Sequence, residues 1–162
     1  MKKLRIYLDT SVINFLFAED APDFQRVTID FFVRYSSQYD LFVSEIVLLE
    51  IGKTKDLAQR DRLLDVIRQY PIALLAFEPR DEIIALANAY RENGVIPLSQ
   101  QEDALHVAHA TLHEIDILLS WNFKHLANIR REAGIEAVNK ARGYWHPLRI
   151  VSPLEVEDDS EC

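Results

Sequence analysis

The sequence predicts an α/β domain, a three-layer α/β/α sandwich in which a central parallel sheet is covered by helices on both faces. Three observations carry this expectation. Short apolar runs alternate along the chain with longer amphipathic stretches, the order of strand–helix units. The runs lack in–out alternation, so they suit strands buried on both sides. At 162 residues the chain has the size of one domain and can bury roughly 70% of its unfolded surface. No internal repeat, linker or second domain is visible, and the domain is expected to span residues 1–153, followed by an acidic tail over 154–162.

Residues 4–8 read as the first strand, closed by Asp9-Thr10-Ser11, where Thr10 or Ser11 can cap a helix continued by Val12, Ile13, Leu16 and Phe17. The proline-bearing stretch 18–23 interrupts, and the spacing of Phe24, Val27, Phe31 and Tyr35 predicts a helix over 24–37. Residues 41–44 form the second strand. Helices follow over 45–53 and 55–70, the latter with Leu57, Leu64 and Ile67 on one side, and 72–77 reads as a strand. A helix over 80–93 ends at the C-cap signal Asn93-Gly94, and Pro97 prevents its continuation. Ser99-Gln100-Gln101-Glu102 matches a capping box that opens a mostly apolar helix to about His113. Residues 116–120 and 149–151 complete the strands.

With 49% hydrophobic and 27% charged residues, the composition excludes disordered, collagen-like and low-complexity classes. Cys162 is the only cysteine, so neither an intrachain disulfide nor a cysteine zinc site can form. The apolar stretch behind Lys2 and Lys3 is broken by Arg5 and Asp9, too early for a signal-peptide core, and the longest apolar run, 72–77, is far short of the roughly 20 residues of a membrane span. A cytoplasmic, reducing setting without a membrane is expected. Eighteen bases against 26 acids give a net charge of −8, which taken alone argues against a strongly basic nucleic-acid binder. The distribution differs: five acids crowd the tail, whereas residues 117–153 hold six bases, including Lys124, Arg130 and Arg131, against two acids. Trp121, Phe123, Tyr144 and Trp145 lie among them, the mixture that single-stranded nucleic acid uses. Charge alone is equally met by a solvated basic face over core aromatics.

Only four glycines occur, none near a strand-to-helix turn, so there is no phosphate-cradling loop or dinucleotide fingerprint, and no Gly-x-Ser-x-Gly elbow. What remains is a set of acids in costly places. Asp9 follows an apolar strand at the carboxyl end, where open parallel sheets place ligands; helix capping is its other reading. Glu50 is embedded in Ile46-Val47-Leu48-Leu49-Glu50-Ile51, where an ionised carboxylate is desolvated unless paired or metal-bound. Asp103 lies one turn into the apolar helix, with Ser99 and Glu102 already assigned to its cap. Three such acids at one sheet edge suit a hard cation, Mg²⁺ or Mn²⁺. A rival is a zinc site from His106, His109 and His113, spaced three and four apart, but nothing in the sequence opens that helix face to metal.

Four blocks carry a resemblance: Tyr7-Leu8-Asp9-Thr10-Ser11-Val12-Ile13; Ser44-Glu45-Ile46-Val47-Leu48-Leu49-Glu50-Ile51; Glu102-Asp103-Ala104-Leu105-His106-Val107-Ala108-His109-Ala110; and Ile117-Leu118-Leu119-Ser120-Trp121-Asn122-Phe123-Lys124-His125-Leu126. In this order they resemble the PIN-domain nucleases, which include the VapC-like toxins of type II toxin-antitoxin pairs. The resemblance implies a Mg²⁺- or Mn²⁺-dependent ribonuclease with Asp9, Glu50 and Asp103 as its metal-binding acids. The metal would acidify a water and offset charge on the scissile phosphate. Asn122 stands where many members carry a fourth acid; an amide offers an oxygen without charge, favouring one metal over two. Asp116 is no substitute, because it begins the strand that Asn122 follows. Thr10, Ser11 and Ser120 match residues that steady Asp9 or a metal water. Lys124, Arg130 and Arg131, with His125, are candidate RNA-backbone contacts. An antitoxin and a homodimer are the partners implied, and the acidic tail is either a solubilising end or a competitor of RNA for the basic region. A PIN-like module that binds nucleic acid or protein without efficient cutting is the alternative; a phosphoryl-transfer hydrolase with Asp9 as nucleophile would need a second acid where Ser11 stands.

Overall fold

The apolar strand runs are continuous because both faces of the sheet are covered. In the computed structural model, which describes residues 2–156, β1 (Arg5–Leu8), β2 (Asp40–Ser44), β3 (Ile72–Leu75), β4 (Ile117–Leu119) and β5 (Arg149–Val151) form one sheet in the order β3-β2-β1-β4-β5. All neighbouring pairs are parallel, with Tyr7 beside Phe42 on one side and Leu118 on the other. Ile6, Tyr7 and Leu8 of the central strand have no exposed surface.

Seven helices connect the strands among the described residues: α1 (Thr10–Asn14), α2 (Pro22–Asp30), α3 (Glu45–Gly52), α4 (Leu57–Gln69), α5 (Arg80–Glu92), α6 (Gln101–Leu112) and α7 (Ile129–Ala141). α1, α3 and α4 pack together, and α5 packs on α6 and α7. With right-handed crossovers these groups cover opposite faces, giving the sandwich that the sequence predicts. The chain runs outward from β1 through β2 to β3, then returns to β4 on the other side of β1. The carboxyl ends of β1 and β4 therefore form a topological switch point, where such sheets bind ligands. α3 and α6 meet at that edge.

Local expectations change in four places. α2 starts at Pro22, a residue suited to a first turn because its missing N–H needs no partner there. The helix expected to reach residue 37 instead passes into a π-helical turn, Phe31–Tyr35, and a 3₁₀ turn, Ser36–Gln38. The Ser99–Glu102 capping box does not form: the N-cap is Gln100, without a side-chain bond, and Glu102 faces Lys53 at 3.4 Å. A capping box forms instead between Ser152 and Glu155, and Val156 beyond it is buried, so the fold continues past residue 153. Residues 157–162, most of the expected tail, lie outside the described residues.

α7 has no counterpart in the sequence reading, because only Ile135 and Asn139 of its residues are buried and no apolar stripe marks it. Ile135 and the half-buried Val138 pack on the core, and polar contacts complete its hold. Tyr90 of α5 donates to Asn139 Oδ1 at 2.5 Å, and Asn139 Nδ2 donates to Thr111 of α6 at 3.2 Å. Among the described residues, no helix is long and apolar enough to cross a membrane.

Candidate active site

Asp9 ends β1 in an extended conformation, and its Oδ1 accepts from the Val12 N–H at 3.3 Å. Asp9, not Thr10 or Ser11, is thus the cap of α1, which leaves both hydroxyls for other work. Ser11 Oγ donates to Asp9 Oδ1 at 2.5 Å, and Ser120 Oγ, just past β4, donates to Oδ2. Ser11 Oγ also accepts from the Trp121 N–H at 2.9 Å, and the Asp9 N–H donates to the Leu119 carbonyl at 3.2 Å. The switch point is stitched through this one buried carboxylate.

Glu50 reaches the same edge from α3. Its Oε1 accepts from Thr10 Oγ1 at 2.9 Å, so Thr10 holds the second acid rather than the first. The same oxygen lies 2.5 Å from Nε2 of His106, a buried residue of α6. His106 Nδ1 is 2.5 Å from the Tyr7 hydroxyl, which is 2.7 Å from Ser44 Oγ, the cap of α3. A hydrogen-bonded line therefore runs from the sheet edge to its centre. Asp103, one turn into α6, accepts at Oδ2 from Asn122 Nδ2 at 3.2 Å, and Asn122 Oδ1 accepts from the His125 N–H at 3.0 Å.

The electrostatics follow from burial and crowding. Burial raises the Asp9 carboxyl above its ordinary value, although His106, Ser11 and Ser120 pull against it. Burial also opposes ionisation of Glu50, but the hydrogen bond and charge of His106 outweigh it, so Glu50 titrates below the usual range. His106 is raised despite burial, because Glu50, Asp9 and Asp103 favour its cation. Asp103 is pushed up to about 6, first by burial and then by Asp9, Glu50 and Glu102, with His106 opposing.

Three acids thus face one histidine whose cation they favour, and a divalent cation would offset the excess of acid groups. Among the described residues, no group of three or more His, Cys, Asp or Glu side chains forms a ready cage for a metal ion, so the fit rests on charge and donor type. Both are right for Mg²⁺ or Mn²⁺: the donors are carboxylate oxygens, while the Asn122 amide turns its NH2 to Asp103 and its oxygen to the His125 N–H and so offers the cation no oxygen here. The Asp103 shift makes a prediction. Because its proton is held more tightly in the folded state, Asp103 favours folding at acid pH, and that contribution is lost as pH rises through about 6. A cation must displace this proton, so Mn²⁺ affinity by calorimetry is expected to rise about tenfold from pH 5 to 7, with proton release, and Asp103→Asn to flatten the profile. A pH-independent affinity in the native protein is the contrary result.

The histidine triad does not assemble. Both ring nitrogens of His106 are engaged in the acid line, those of buried His109 have no partner, and His113 Nε2 faces the Ala76 carbonyl at 2.9 Å. The reason is that His106 and His109 point to different neighbours, the acids and Phe77. Asp116 bonds the Arg5 N–H and His146 at the opposite edge of the sheet. In the basic segment Glu136 and Glu132 pair with Lys140 and Arg149. Lys124 and Arg130 are exposed, whereas Arg131 donates to the Val95 carbonyl. The sequence reading missed His106 and Tyr7 as members of the acid cluster; the available signals were a histidine one turn after Asp103 and a tyrosine inside a wholly apolar strand, where a hydroxyl needs a partner.

Fold and site together define a class: a parallel α/β domain with an acidic switch-point edge, where Asp9 is buried and Glu50 and Asp103 are half-buried. Within that class the chain belongs to the PIN domain family, which it matches over residues 6–130. No curated protein matches the sequence closely enough to count as a relative. Among solved structures it is similar to a chain of VapBC2 from Rickettsia felis bound to a DNA fragment from their promoter, at TM-score 0.56 and 16% identity over 92% of this chain and 98% of that one. It is also similar to chains of FitAcB from Neisseria gonorrhoeae (TM-score 0.53, 16% identity, 93% and 99% covered) and of VapBC-1 from nontypeable Haemophilus influenzae (0.56, 16%, 94% and 100%). At such identity the likeness is one of fold.

Proposed function

We propose that the protein is a Mg²⁺- or Mn²⁺-dependent endoribonuclease that hydrolyses RNA phosphodiester bonds, and that it serves as the toxin of a toxin-antitoxin pair. The observation that carries this reading is the cluster of Asp9, Glu50 and Asp103 around His106 at the switch-point edge of a PIN domain. Asp9, Glu50 and Asp103 would hold the cation. When bound, a divalent ion there supplies charge against the scissile phosphate and acidifies water.

The protein's own groups do the rest. Ser11 and Ser120 hold Asp9 in place, Thr10 and His106 hold Glu50, and the Asn122 amide holds Asp103. Glu50 is kept ionised by His106 and is the weaker base, so Asp103, pushed up to about 6, is the acid better suited to accept a proton from an attacking water. Lys124 and Arg130 contact the RNA backbone; Arg131 is already committed to Val95. An antitoxin is the proposed partner, supported by the VapBC and FitAcB neighbours, and a homodimer is proposed beside it.

The test is cleavage of a labelled mixed RNA pool by purified protein with Mn²⁺, with Mg²⁺ and with EDTA. Metal-dependent cutting that EDTA abolishes is expected. RNA binding without cutting, by folded protein free of a copurified partner, would replace this reading with that of a binding module, for which Asn122 in place of a fourth acid is the supporting feature.

A further inference from the structure

Beside the carboxylates the chain builds a feature that acid chemistry does not use. Trp121 lies between Ser120, which holds Asp9, and Asn122, which holds Asp103. Its ring centroid is 4.6 Å from that of Phe24 and 5.7 Å from that of Phe15, and Phe123 lies 5.9 Å from Trp121 and 6.2 Å from Phe24. Trp121 is buried and anchored, its indole N–H donating to Thr28 Oγ1 at 2.8 Å. Phe24 and Phe123 are 37% and 43% exposed.

The position of Phe123 is preset by backbone bonds: its N–H donates to the Trp121 carbonyl at 3.0 Å, and Asn128 Nδ2 donates to its carbonyl at 2.7 Å. Exposed Lys124 follows directly. Scattered surface apolar residues are ordinary, but rings in mutual contact, one residue from Asn122 and next to a cation, are the parts from which single-strand binding sites are made.

We propose that Phe123, held edge-on against Trp121 at 78° and tilted 57° from Phe24, is a stacking platform for an unpaired nucleobase of the strand held at the carboxylate edge. The proposal rests on the ribonuclease reading above. A base inside a duplex is already stacked and unavailable to such a platform, whereas an unpaired base offers its face. The adjacent Lys124 takes a flanking phosphate.

The test uses an eight-nucleotide single-stranded RNA carrying 2-aminopurine, its duplex counterpart, and the full-length protein in EDTA, with anisotropy reporting affinity and fluorescence quenching reporting stacking. The single strand is expected to bind with quenching and the duplex more weakly. Phe123→Leu is expected to weaken single-strand binding at least about fivefold and abolish quenching, while Phe123→Tyr retains both. Trp145→Leu is the control: Trp145 is 70% exposed beside His146, which faces Asp116 at the opposite sheet edge, and its loss is expected to change nothing. Unchanged affinity and quenching in Phe123→Leu, no binding of the single strand, or equal binding of the duplex overturns the platform. Cleavage in Mn²⁺ is scored separately, so a protein that stacks RNA without cutting it overturns the nuclease reading and not this one.

Discussion

Replacing His106 by leucine is expected to lower the unfolding free energy by about 3–5 kcal/mol, the usual cost of removing one partner of a buried ion pair. For a domain of this size that corresponds to a loss of roughly 6–20 °C in Tm. The substitution leaves Glu50 with only Thr10 and strips the buried Tyr7 hydroxyl of one of its two partners. The double variant His106→Leu/Glu50→Leu is expected to recover about 2 kcal/mol of the loss, because the carboxylate bonded directly to His106 is removed with it, although Asp9 and Asp103 remain without its charge. Urea denaturation of the two variants and the native protein measures both; a single-variant cost under about 1 kcal/mol would show that the pair carries no net stability.

The pH dependence of this pair has a definite sign. His106 is raised, so its contribution is complete below its ordinary value of 6.5 and is lost as pH rises through the higher folded value. Glu50 is lowered, so its contribution is complete above its ordinary 4.5 and is lost as pH falls through the lower folded value. The pair stabilises most between those two ordinary values. Asp9 and Asp103, both raised, add a decline in stability as pH rises, which a divalent cation should reverse.

The second large effect concerns Asp9. Asp9→Asn is expected to reduce metal-dependent RNA cleavage by about a thousandfold or more, the several kcal/mol that a positioned cation contributes. The fold should survive, since an amide can still accept from Val12 and pair with Ser11 and Ser120. Without metal the variant is expected to be at least as stable as the native chain, because a desolvated charge has been removed. In Mn²⁺ the native protein should gain thermal stability and Asp9→Asn should not. Native-like cleavage, or a native-like Mn²⁺ shift in the variant, would remove Asp9 from the cation site.

The candidate acids were visible in the sequence because each violates a local pattern: Asp9 ends an apolar strand, Glu50 interrupts an apolar helix, and Asp103 opens one. Of the partners of those acids, Ser11 and Ser120 were named for Asp9 only through the family resemblance, and those of Glu50 were not visible. Thr10 reads as a cap or as a companion of its neighbour Asp9, yet it bonds Glu50, 40 residues away. His106 shares a helix with two other histidines, and spacing alone groups the three. α7 hides for a different reason, since Ile135 and Val138 are too few to mark an apolar stripe and polar contacts supply the rest of its hold.

The sandwich, its parallel sheet and the three candidate acids are legible in the chain's local pattern, because periodicity and the cost of a buried charge are properties that each segment declares alone. It took the assembled fold to show that His106 answers Glu50 and Tyr7, that Thr10 answers Glu50 across 40 residues, and that aromatic rings from three segments meet beside the carboxylates. Those pairings depend on the crossover order that sets β4 beside β1 and α6 against α3, and no local pattern encodes that order.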